Sequence, residues 1–303
     1  MNKKTSKADK VSRAVTKHYA LLLAIILFIL FAVGKCGEEN KKKVVADGEL
    51  TVSFIDVGQG DATLFVSKEA VILIDAGPGS ATDDLMDALE DSGIDRIDCA
   101  VFTHPHEDHI GGAARVIEKY KPAEILVPDA EANTRVFENM LDAIDLAGSK
   151  LTVAARGDKK QYGEISLDIL SPEPGKRFDD DLNRSSLIIK LTYGGVSFMT
   201  CGDAEYYDEN DVFDAYPSSF LKCDVLKVAH HGSGTASSYN FIKAVSPLYA
   251  VISCGRDNQY GHPHDSVLEK LGKIVPYIYR TDENGTVTLV TDGKNINAVT
   301  EMS

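Results

Sequence analysis

The chain has 303 residues, 44% of them hydrophobic and 26% charged, with 24 glycines and 10 prolines. That composition excludes collagen-like, low-complexity and intrinsically disordered chains, and the length allows one large or two small domains with a substantial core. A formal charge of −14, from 32 basic against 46 acidic residues, excludes a protein whose whole surface grips nucleic acid or anionic lipid.

The charge is unevenly spread. Residues 1–34 hold Lys3, Lys4, Lys7, Lys10, Arg13 and Lys17 against Asp9, a local +5, which leaves −19 on the remainder. The basic stretch 1–18 leads into residues 19–34, YALLLAIILFILFAVG, which carry no charge. A buried core helix would show polar positions at helical spacing, whereas this run is apolar all round. It reads as an uncleaved signal anchor, or as a signal peptide with Ala32-Val33-Gly34 as a small-x-small cleavage site. Lys35 stands where a lipidation motif around Cys36 needs a small residue. Basic residues stay cytoplasmic, so the expected location is the cell membrane with the remaining chain outside it, or secretion if the signal is cleaved. Residues 35–49 read as a solvated linker.

Residues 50–303 parse as one continuous domain. TVSFIDV (51–57), ATLFVS (62–67) and AVILID (70–75) are strand candidates separated by glycine or charged turns. TDDLMDALEDSG follows as a helix with Thr82 as N-cap, an apolar face of Leu85, Met86 and Leu89, and a stop at Gly93. Strands near 97–103 and 124–127 bracket a helix over about 110–120. A helix over about 133–147 puts Val136, Phe137, Met140, Leu141 and Ile144 on one face. Further strand runs lie near 151–154, 165–170, 186–193, 195–200, 224–229 and 249–253, and finally at Val287–Val290. The pattern fits stacked sheets with helices outside rather than regular βαβ alternation. Cys99, Cys201, Cys223 and Cys254 sit in or beside apolar strand runs, where cysteine acts as a small buried hydrophobe, so no structural disulfide is expected.

Apart from His18, the histidines fall in three clusters. In the first, His104-Pro105-His106-Glu107-Asp108-His109 follows the apolar run Cys99–Phe102. Pro105 turns the chain there, and Gly111 and Gly112 are expected to leave room around a bound group. Three imidazoles and a carboxylate on one loop suit two adjacent divalent ions. Asp203, after the apolar strand Val196–Thr200, is placed to bridge two cations. His230-His231-Gly232-Ser233 repeats the order strand, histidines, glycine; His262 and His264 flank Pro263 with their ligand status open.

The run His104-x-His106-x-Asp108-His109 resembles the signature of the metallo-β-lactamase superfamily, with Asp75 matching its first acidic motif. Within it the chain is similar to the extracytoplasmic hydrolase domain of ComEC-type competence proteins. That narrower likeness rests on Asp56-Val57-Gly58-Gln59-Gly60-Asp61-Ala62, HPHEDHIGG, Asn183-x-x-Ser186-Leu187, Gly202-Asp203-Ala204-Glu205, His230-His231-Gly232-Ser233 and Tyr260-Gly261-His262-Pro263, in family order from about residue 50 onward. The resemblance implies an α+β fold, a four-layer αββα sandwich with metals at one edge of the sheets. It implies His104 and His106 as ligands of one metal, Asp108 and His109 of a second, Asp203 as the bridge, and His230 completing the second site. His231 is expected to support from behind, because consecutive strand residues point to opposite sides. Between His109 and His230 there is no histidine, and Asn183 stands where the wider superfamily places one.

The expected chemistry is hydrolysis by metal-activated water, with one or two Zn²⁺ or Mn²⁺ ions per chain. Asp108 would orient the nucleophile; the Gly232-Ser233 amides, His231 or His262 would stabilise the developing charge or the leaving group. The resemblance points to DNA or another phosphodiester as substrate, against the −19 charge, with Lys227, Arg184, Lys190 and Arg256 as a local basic strip. The alternatives are a cell-envelope hydrolase of a small phosphodiester, lactone or β-lactam, and a tethered metal-binding module without turnover. No protein partner is inferred; the membrane is contacted through the N-terminal segment if that is retained.

Overall fold

The elements of the computed structural model, which describes residues 46–178 and 180–302, run in chain order as follows. The first half comprises β1 (Leu50–Phe54), β2 (Thr63–Ser67), β3 (Val71–Ile74), α1 (Thr82–Asp91), β4 (Cys99–Val101), α2 (Glu107–Ile110), α3 (Ala113–Tyr120), β5 (Glu124–Val127), α4 (Arg135–Ala147) and β6 (Lys150–Val153). The second comprises β7 (Lys159–Tyr162), β8 (Ile165–Ser171), β9 (Ile188–Tyr193), β10 (Val196–Thr200), α5 (Tyr206–Ala215), α6 (Ser218–Leu221), β11 (Val225–Lys227), α7 (Tyr239–Val245), β12 (Tyr249–Ile252), α8 (Asp265–Gly272), β13 (Tyr277–Arg280), α9 (Thr281–Asn284), β14 (Val287–Thr291) and β15 (Ile296–Thr300). The basic N-terminus, the apolar segment 19–34, Cys36 and most of the linker lie outside the described residues. Among the described residues no helix is long and apolar enough to cross a membrane.

The strands form two sheets, in the orders β15-β14-β1-β2-β3-β4-β5-β6 and β13-β12-β11-β10-β9-β8-β7. Their period-two patterning decides how they stack. Leu50, Val52, Phe54, Phe65, Ile72 and Val101 of the first sheet meet Leu167, Leu191, Phe198, Val225 and Val251 of the second in one buried cluster. Phe65 and Phe198 pack edge to face across it, centroids 5.6 Å apart. The alternate residues Leu64, Leu73 and Ala100 face outward onto α1, α3 and α4 through Leu85, Leu89, Val116 and Ile144. On the other side Met199 and Leu226 meet α5 and α7 through Val212 and Phe241, and Ala250 and Ile252 meet α8 through Val267 and Leu271. The result is the expected four-layer αββα sandwich.

The expectation that βαβ alternation is not the pattern of this chain is corrected for part of each sheet. β3 through β6 are parallel and joined by helical crossovers, as are β10 through β13. The helices α5, α7 and α8 that cover the second sheet are short. Parallel strands bring their carboxyl ends to one edge, and β3, β4, β10, β11 and β12 all deliver loops there. The four described cysteines are buried thiols, free of disulfides.

Candidate metal centre

Each strand end at that edge contributes one part. After β3 the chain turns at Asp75, which adopts a left-handed φ of 59°. Its buried carboxylate accepts hydrogen bonds from the Thr103 backbone N–H at 2.7 Å and the Thr103 hydroxyl at 2.8 Å. That fixes the start of the histidine loop after β4. His104 is buried, and its Nε2 lies 3.0 Å from His106 Nδ1. His106 precedes the single turn of α2, which carries Asp108 and His109. From the second sheet, Asp203 follows β10, and His230 and His231 follow β11.

Asp203 is shared between two donor groups. Its Oδ2 lies 3.9 Å from His104 Nε2 and 3.6 Å from His230 Nε2. Its Oδ1 lies 3.1 Å from His109 Nε2 and 3.5 Å from His231 Nε2, which is in turn 3.3 Å from Asp108 Oδ2. His104, His106 and Asp203 form one cluster of ligand atoms; Asp108, His109, Asp203 and His231 form another. Three atoms of the second cluster, His109 Nε2, His231 Nε2 and Asp203 Oδ1, are buried without a hydrogen-bond partner. Buried polar atoms are normally satisfied, so converging unsatisfied imidazole and carboxylate atoms fit a cation as their missing partner.

The groups behind the cluster fix the imidazoles. His109 Nδ1 faces Asp75 Oδ2 at 2.8 Å, and His231 Nδ1 donates to the Ser253 carbonyl at 3.0 Å. Both bonds turn Nε2 toward the centre, the carboxylate-histidine and carbonyl-histidine arrangements that hold metal ligands in register. In the cation-free protein burial would push His109 down, but Asp203 and Asp75 hold it well above the ordinary histidine value. Burial, followed by the charge of His109, keeps His104 well below it. Burial would raise Asp203, yet His109 and His231 hold it well below the usual carboxylate range.

Several expectations change here. His230 and His231 are not on a strand: both adopt left-handed backbone, φ 50° and 53°, in a tight turn after β11. This sparsely populated conformation presents both rings to the same edge, so strand alternation does not apply. His231 joins Asp108, His109 and Asp203, the place expected for His230. His230 stands at the lip, partly exposed, its Nδ1 near the Thr235 hydroxyl at 3.4 Å and Glu205 Oε1 at 3.6 Å. Gly111 and Gly112 do not make room for a ligand. They let the loop pack on the turn after β3, since a Cβ on Gly111 would sit 2.0 Å from Gly79 N and one on Gly112 2.5 Å from Ala76 O. The Ser233 amide is occupied by the His230 carbonyl at 2.7 Å and is no oxyanion donor. His264 accepts from the Gly234 amide through Nδ1 at 2.8 Å, whereas His262 lines the cleft.

None of the four candidate cations of the basic strip lines the cleft. Lys227 is buried, its Nζ 2.6 Å from Asp61 Oδ2. Lys190 donates to the Phe220 and Lys222 carbonyls, Arg184 lies against Phe178 and Tyr207, and Arg256 bonds the Asp282 carbonyl. The clusters instead floor a cleft of about 500 Å³ lined by histidines and acids together with Gln59, Asn183, Gln259 and Tyr260. Gln259 was not singled out by sequence reasoning, and Gln59 and Tyr260 appeared there only as parts of motifs.

The fold and this centre define a metal-dependent hydrolase of the metallo-β-lactamase fold. The profile of the metallo-beta-lactamase superfamily matches residues 55–256, and the chain belongs to that superfamily. It is 33% identical over 264 residues to ComE operon protein 3 of Bacillus subtilis, covering 80% of this chain and 33% of that protein. It is 28% identical over 248 residues to Competence protein ComA of Neisseria gonorrhoeae, covering 82% of this chain and 33% of that one. The chain thus spans about a third of the length of these relatives. Its fold is shared with Igni18, a metallo hydrolase from Ignicoccus hospitalis (TM-score 0.53, 18% identity, 78% of this chain and 98% of that one). The fold protein YhfI of Bacillus subtilis aligns similarly (TM-score 0.52, 13% identity, 79% and 99%).

Proposed function

We propose that the chain is an extracytoplasmic phosphodiesterase acting on DNA, tethered or exported through residues 19–34. The observation that carries the reading is the division of Asp203 between two donor clusters at the floor of an open cleft. In this reading His104, His106 and Asp203 hold one divalent cation, and Asp108, His109, Asp203 and His231 a second. Such cations, when bound, supply Lewis acidity: they polarise a phosphoryl oxygen and make a water acidic at neutral pH. The chain's own residues supply the frame. Asp75 and Ser253 hold His109 and His231 with Nε2 forward. Asp108, at the cleft floor, would orient an attacking water; burial would raise its carboxyl, yet its hydrogen bond with His231 holds it well below the usual carboxylate range. His262, pushed down to about 4 by burial and then by His231 and His230, is neutral at pH 7 and lines the cleft. The similarity to competence proteins supports DNA as the source of the phosphodiester.

A second reading, a small phosphodiester substrate, is favoured because no lysine or arginine is among the described residues that line the cleft. Purified full-length protein loaded with Zn²⁺ or Mn²⁺, assayed on single- and double-stranded DNA beside small phosphodiesters and β-lactams, separates them. Cleavage of DNA that is lost in Asp108→Asn is expected; hydrolysis of the small substrates alone rejects the nuclease reading.

A further inference from the structure

Three rings climb from the metal centre to solvent in near-parallel steps. His231 is buried, His262 is half-buried on the cleft wall, and Tyr260 is 57% exposed at its mouth. The His231 and His262 rings are inclined by 25° with centroids 6.2 Å apart; His262 and Tyr260 are inclined by 22° at 5.6 Å. One side chain holds the upper steps. Asn258 accepts from the Tyr260 and His262 amides through Oδ1, at 3.1 and 3.0 Å, and donates through Nδ2 to the His262 and Gly255 carbonyls. The outer face of this staircase is therefore set by a closed loop, and a large aromatic side chain is left at its top with most of its surface in water.

The cleft lining holds carboxylates, imidazoles and the amides of Gln59, Asn183 and Gln259, with no lysine or arginine. Among the described residues that line it no fixed cation stands ready to grip the phosphates of a polyanionic strand, so recognition away from the metals falls to ring faces and amides.

We propose that Tyr260, backed by His262, is a stacking platform for a nucleobase flanking the scissile phosphodiester. The preferred substrate is then single-stranded nucleic acid or a frayed end, because a base inside a duplex has no free face to offer. This rests on the phosphodiesterase reading and names its substrate class. Aromatic stacking is tolerant of base identity, so the platform selects unstacked bases without reading sequence. With few phosphate contacts to release counterions, affinity falls only gently with salt.

The test compares two fluorescent single strands of equal length, one with bases and one with abasic sugars throughout, binding to the full-length protein with and without Mn²⁺. Anisotropy is expected to show about tenfold tighter binding of the base-bearing strand, the size of one base stack. In Tyr260→Ala that ratio is expected to fall to about one, and in Tyr260→Phe, which keeps the ring, to persist. Equal affinity of the wild type for the two strands, or an undiminished ratio in Tyr260→Ala, overturns the platform even if the protein cleaves DNA. A base preference lost in Tyr260→Ala without any cleavage leaves the platform standing and overturns the phosphodiesterase reading.

Discussion

Lys227 Nζ and Asp61 Oδ2 meet 2.6 Å apart, both nearly fully buried, although 166 positions separate them. They tie the β1–β2 loop of one sheet to the end of β11 in the other, directly behind His231, whose Nδ1 is 3.8 Å from Asp61 Oδ1. Gly60 belongs to the same tie: a Cβ there would lie 2.5 Å from the Asp108 carbonyl, which accepts the Asp61 amide at 3.1 Å.

Removing one member of such a pair strands a buried charge. Lys227→Met is expected to destabilise the protein by about 3–5 kcal/mol, read as a fall in the urea midpoint. The double variant Lys227→Met with Asp61→Asn is expected to recover most of that loss, because no uncompensated charge remains. A double variant as unstable as the single one contradicts this account.

The two neighbouring histidines are expected to part company in metal binding. His231→Ala should lower bound metal by one equivalent per chain, measured by elemental analysis after dialysis, while His230→Ala keeps the wild-type content. Asp75→Asn loses the carboxylate behind His109 and should weaken binding by about 10- to 100-fold. Chelation with EDTA should lower the melting temperature of the wild type and do so less in His231→Ala.

Asp208 predicts a pH dependence remote from the metals. Burial pushes its carboxyl up to about 6, against the Glu205 amide it accepts and the nearby Arg184. Between about pH 4 and pH 6 the native state keeps a proton that the unfolded chain releases. Stability from this group is therefore present below that window and lost as pH rises through it, on the order of 2–3 kcal/mol. Asp208→Asn keeps an acceptor for Glu205 and should flatten the difference between urea midpoints at pH 4.5 and pH 7.

The first three strands and α1 were legible because their apolar period and stop signals agree: Leu85, Met86 and Leu89 are buried, and the helix ends just before Gly93. The donor set was legible because metal ligands share a small vocabulary and sit at strand ends. β7, reading KKQY, was missed because lysines on an edge strand carry no apolar alternation. α5 was missed because an acidic, tyrosine-rich segment buries few side chains. Composition also does not record backbone conformation, which is why His231 rather than His230 joins Asp108, His109 and Asp203. Nor does it record pairing, so Lys227 read as a surface cation when it neutralises Asp61 in the interior.

The donors come from both sheets, His104, His106, Asp108 and His109 from the first and Asp203 and His231 from the second. Neither half holds either proposed set by itself. Any cation at Asp203 therefore works as a clasp, and its affinity reports how closely the two sheets sit together. Separating the sheets would open the clasp.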